Sequence, residues 1–181
     1  SEVEEIKRED DKVHEDLKKA ADDIRKRDED VNRKLTEAIE EIRREVDKAL
    51  EDLERRGVPK DLLDRARRLA EELRRRLKEL LERMHKVNED TKRLLEELLR
   101  RLEEVNRRTR KELEDVKRRR EPEEVIRRLM EKIRRINAEL RKALKRLLEE
   151  IEDINRKLEE EVKKILEEIR RVLEELRRRA N

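Results

Sequence analysis

Histidine is the side chain whose charge changes nearest physiological pH, and this chain carries two, His14 and His85. Each follows a carboxylate by about one helical turn: Asp10 with His14 is an i, i+4 pair, and Glu82 with His85 is an i, i+3 pair. On a helix both spacings put the two groups on one face. Such pairs can hold a metal ion or pass a proton, so they are the first chemistry to weigh. Beside them stand a few uncharged polar residues, Asn32, Asn88, Thr91, Asn106, Thr109, Asn137 and Asn155. Covalent catalysis has no candidate, because the chain lacks cysteine, Ser1 is terminal, and no nucleophile lies next to a base. The lack of cysteine also removes thiolate ligands and disulfides.

The elements that position these residues follow from composition. Charged residues make up 59% of the 181 residues, with no aromatic, one glycine and two prolines. Hairpins and sandwiches need turn-forming residues at each reversal, whereas Glu, Lys, Arg and Leu favour long helices. The 55 basic and 52 acidic residues interleave to a net charge of only +3. A nucleic-acid surface concentrates its cations and adds stacking aromatics, so nucleic acid is not an expected partner. No run reaches the roughly 18 apolar residues of a membrane span, and the chain is expected to be soluble, with no membrane partner and no cofactor.

Two places break the helical pattern. In "RRGVPKDLL", Gly57 suits the left-handed residue that ends a helix, and Pro59 suits the start of the next. In "RRREPEEV", Pro122 repeats the start signal. Arginines precede both breaks and acids follow them, which complements the helix dipoles. Ser1 and Glu4 form a capping pattern at the N-terminus. Helices of about 2–56, 60–119 and 122–180 result, each on the order of 85 Å long at 1.5 Å per residue. Short connections make them neighbours running up, down and up, an all-α antiparallel three-helix bundle over a single domain, 1–181.

The apolar residues do not keep a heptad. Steps of seven from Val3 run through Asp10, Leu17, Ile24, Val31 and Ala38 to Glu45, off the stripe. Steps of eighteen hold: Val3, Ala21, Ile39; Leu77, Leu95, Leu113; Ile133, Ile151, Ile169; Ile136, Ile154, Val172. Eighteen residues make five turns of an undistorted helix, so such a stripe stays on one face without supercoiling. A phase kept along all three segments also argues against disorder, to which high charge alone would point.

With equal helices, idealised caps, a core of Leu, Ile, Val and Ala, a surface of Glu, Lys and Arg, and no aromatic, the chain resembles computationally designed, parametric helical bundles with straight helices. The resemblance covers the whole chain. It implies an engineered scaffold without a natural activity, in a family whose members often carry buried hydrogen-bond networks that fix helix pairing. Spectrin repeats are the nearest natural likeness, but they follow heptads and typically hold a buried Trp, which this chain lacks.

The polar residues obey the same repeat. "DDKVH" (Asp10, His14) recurs as "DEDVN" (Asp28, Asn32), "VNEDT" (Asn88, Thr91) as "VNRRT" (Asn106, Thr109), and "INAEL" (Asn137) as "INRKL" (Asn155). Folding the helices back at their turns groups them into a structural polar network of two layers. One is Asp10, His14, Asn106, Thr109 and Asn137, and the other is Asp28, Asn32, His85, Asn88, Thr91 and Asn155. Eighteen residues of rise would separate the layers by about 27 Å. Di-metal bundles bring two Glu-x-x-His motifs to one level, and two histidines so far apart cannot share an ion, so no metal site is expected. A buried amide without a partner costs about 1–3 kcal/mol, so the layers would penalise slipped or swapped helices. Two alternatives remain. Helix 3 has the widest apolar set, including Ile126, Met130, Ala138 and Ala143, which fits self-association or capture of a further helix. A pH response through the histidines is the other, with the His85 layer expected to be the more acid-sensitive because His14 has Asp10 in its own layer.

Overall fold

The computed structural model describes residues 1–180. It contains three α-helices, α1 (Glu2–Arg55), α2 (Lys60–Arg118) and α3 (Glu123–Ala180), and no strand among the described residues. The protein is an all-α three-helix bundle.

The helix ends are built locally. The Ser1 hydroxyl accepts from the Glu4 N–H at 3.4 Å, satisfying a donor that the first turn leaves unpaired. Gly57 closes α1 at φ +64°, and the Pro59 carbonyl accepts from the Leu63 N–H to open α2. α2 ends differently. Arg120 takes the left-handed conformation at φ 51°, while the Glu121 N–H reaches back to the Val116 carbonyl at 3.3 Å. This wrapped end is the one glycine normally serves, filled here by a residue with a Cβ. α3 then starts at Glu123, one residue past Pro122, whose carbonyl accepts from Val125 and Ile126.

The chain divides into two compact units: Ser1–Arg27 with Asp90–Glu152, and Asp28–Glu89 with the chain from Asp153 on. No glycine or proline marks the division, and each unit takes a length from all three helices. In the first unit, Lys117 pairs with Glu4, Lys7 with Glu114, Arg110 with Asp11 and Lys18 with Glu103. Each step forward on α1 is matched by an equal step back on α2, so the two run antiparallel. In the second unit Arg67 with Glu54 and Arg74 with Asp47 follow the same rule for α1 and α2, as do Arg76 with Glu168 and Arg83 with Glu161 for α2 and α3. These pairs, exposed or partly exposed, report the register, but each contributes only about 0–1 kcal/mol.

Stability comes from the apolar interior. In the first unit it forms two clusters. One contains Leu17, Ile24, Leu95, Leu102 and Ile151, and the other contains Val3, Ile6, Leu113 and Ile133. In the second unit a single cluster includes Ile39, Ile42, Leu77, Met84, Val162 and Ile169. The eighteen-residue stripes Val3, Ala21, Ile39 and Ile133, Ile151, Ile169 are buried throughout. The stripe Ile136, Ile154, Val172 is not, because it flanks the inward line of α3: Ile154 is 39% exposed and the other two are half-buried.

Candidate functional site

Each unit holds one concentration of inward polar side chains. In the first unit Asp10, His14, Thr109 and Asn137 are buried, Asp10 and His14 to 2% exposure, and Asn106 is half-buried. Asp10, Asn106, Thr109 and Asn137 occupy chain positions between the two apolar clusters of that unit, and His14 follows Val13 at the edge of one of them. The Asn137 Nδ2–H donates to Asp10 Oδ1 at 2.8 Å and ties α3 to α1. His14 Nε2 stands 3.5 Å from the same oxygen, too long for a strong hydrogen bond. Among the described residues, Asp10 Oδ2, both His14 ring nitrogens, Asn106 Oδ1 and Asn137 Oδ1 are buried without a hydrogen-bond partner. Arg110, beside this layer, is held protonated more firmly than usual by its hydrogen bond to Asp11 and that carboxylate's charge, with Asp10 adding to the effect.

In the second unit the Asn155 Nδ2–H donates to Asp28 Oδ1 at 2.9 Å, again joining α3 to α1. Both bonds connect residues 127 apart in sequence, so the second repeats the first after one eighteen-residue step. Asp28 is buried, and Asn32, Asn88 and Asn155 are half-buried. Asp28, Asn32, Asn88 and Asn155 line one small cavity with Val31, Met84, Val87 and Leu158.

Thr91 is buried, as expected, and the division between the two units falls just before it, between Glu89 and Asp90. One residue of the expected second layer does not turn inward. His85 is exposed, lining an open groove with Asn32, Thr36, Leu81 and Glu82. Met84 takes the inward position of that turn at 1% exposure, and the next residue points about 100° away around a helix. The expected acid sensitivity of a His85 layer loses its basis, because the His85 side chain is exposed and is not part of the buried layer. Thr36 escaped the sequence reading. It shares the groove with His85, but its hydroxyl donates to the Asn32 carbonyl one turn back on its own helix, at 2.8 Å.

Among the described residues, no three of His, Cys, Asp and Glu come together in a way that could hold a metal ion, and no helix is long and apolar enough to cross a membrane. What the two sites can do chemically is join helices through buried hydrogen bonds between a carboxylate and a carboxamide. Comparison with protein-family models, with curated proteins and with solved structures finds no match.

Proposed function

We propose that this chain is a designed structural scaffold with no natural biochemical activity, in which buried polar layers select the pairing and register of the helices. The observation that carries the reading is the repeated bond, Asp10 with Asn137 and Asp28 with Asn155, at the same sequence separation and in each unit. A slip of one helix would set these groups against apolar side chains, and each buried polar group left unpaired costs about 1–3 kcal/mol. The layers therefore act mainly by raising the energy of wrong arrangements. Asn88→Leu tests this. It should keep or raise thermal stability, since leucine adds buried apolar surface at a position where Asn88 Oδ1 accepts no hydrogen bond from the described residues, while amide NMR spectra acquire a second set of peaks from competing pairings. A single sharp set of peaks, or loss of a ligand-dependent activity on this substitution, contradicts the reading.

A second reading, a module that captures a further helix or another copy of itself, draws on the exposure of Leu94 at 43% and of Val125 and Ile154. Light scattering separates the two: the mass of one chain supports the scaffold, and a multiple supports an interface. A pH-responsive bundle would have to work through His14, the buried histidine, and not through His85.

A further inference from the structure

The second unit contains two small cavities of equal size, each with a water-accessible volume of about 10 Å³. The first is walled by apolar side chains alone, among them Ala49, Leu53, Ala70, Leu73 and Leu173. The second lies in the polar layer, against Asp28, Asn32, Asn88 and Asn155. A cavity of roughly 10–15 Å³ on this measure holds one water, provided two to four polar partners surround it, whereas an apolar cavity stays dry. The polar cavity meets both conditions. Asn88 Oδ1 is buried and accepts no hydrogen bond from the described residues, so an acceptor in its wall awaits a donor. No N–H of the described residues fills that role, and a water molecule brings two donors into a space too small for anything larger.

We infer that this cavity is the binding site of one structural water, and that its apolar counterpart is empty. The water donates to Asn88 Oδ1 and to the Asp28 carboxylate, whose oxygens have lone pairs enough to accept it beside the Asn155 bond. It accepts from a carboxamide N–H of Asn32 or Asn155. The water thereby links α2, which supplies Asn88, to the bond that already joins α1 and α3. Buried waters of this kind complete polar groups that side chains alone leave unpaired. The inference stands independently of the scaffold role, because a hydrated layer would serve a helix-capturing module equally well.

Oxygen-17 relaxation dispersion of the solvent counts internal waters that exchange slowly with bulk. The unaltered chain should hold one more such water than the Asn88→Leu chain, and Ala70→Val, which fills the apolar cavity, should leave the count unchanged. A crystal structure of the unaltered chain, at a resolution that shows ordered water, should place one water within hydrogen-bond distance of Asn88 Oδ1 and none between Ala49, Ala70 and Leu173. Equal counts for the unaltered and Asn88→Leu chains would overturn the inference. So would an Asn88 side chain turned to accept directly from a neighbouring carboxamide, or a water in the apolar cavity.

Discussion

Asn137→Leu removes the donor that sits 2.8 Å from the buried Asp10 carboxylate and puts an apolar side chain of similar size in its place. Because the volume hardly changes, no large cavity opens, and the cost is the loss of a hydrogen bond to a charged group, about 1.5–3 kcal/mol. Asp10→Leu together with Asn137→Leu removes both members. The layer then joins apolar neighbours such as Ile6, Val13 and Ile133, with about 1.5–3 kcal/mol gained for each leucine buried. The double variant should therefore be at least as stable as the unaltered chain, and the two substitutions should be coupled by several kcal/mol. Guanidinium unfolding followed by helical circular dichroism reads this directly. With an m of roughly 4 kcal/mol/M, the single variant should lose about 0.4–0.8 M in midpoint, and the double variant should recover all of it. A single variant with an unchanged midpoint, or a double variant as weak as the single, would refute the view that the layer costs stability when half-broken and little when absent.

The two helix ends make a matched pair of expectations. Gly57→Ala puts a Cβ on a residue at φ +64°, where it meets no atom within 4 Å, so the loss, about 1 kcal/mol, is conformational alone. Arg120→Gly should gain about 0.5–1 kcal/mol in the same unfolding assay, the relief at φ 51° being partly offset by the freer unfolded chain. His85→Ala should change stability by less than about 0.5 kcal/mol, since the side chain is exposed, and a loss several times larger would return the residue to the interior. Glu4 and Asp153 are held below their ordinary values of 4.5 and 3.8, chiefly by hydrogen bonds from Lys117 and Lys157 and next by the charges of those lysines. A carboxyl depressed in the folded state adds stability that is complete above its unfolded value and is lost as pH falls through the folded one. Lys117→Met and Lys157→Met should accordingly flatten the acid limb of the stability curve below about pH 4.5, while leaving its shape near neutrality unchanged.

The helices and the alignment of their polar residues were legible because both depend on spacing along one chain. Gly57 and the prolines mark the ends, and the eighteen-residue step carries Asp10 to Asp28 and Asn137 to Asn155. Folding the helices at their turns gives height along a helix and says nothing of direction around it. Direction is what separates His85 from Met84, and Ile154 from Asn155. The end of α2 was hidden for another reason: Arg120 carries no compositional signal for a left-handed backbone, which the wrapped bonds to Val116 and Lys117 impose on it. The unpaired atoms of Asn88 and Asn106 depend on side-chain torsions, which spacing does not encode.

Pulsed electron resonance between two spin labels tests the central claim most directly, because it reports the whole distribution of helix arrangements and not their average. The chain has no cysteine, so Asp16→Cys on α1 and Lys142→Cys on α3, both exposed and within the first unit, give a clean label pair. The labelled chain should show one narrow distance. With Asp10, His14, Asn106, Thr109 and Asn137 all replaced by leucine, the helices should still form while the distribution broadens or splits. A single narrow distance, unchanged in the apolar chain, would contradict the claim that buried polar residues select the pairing.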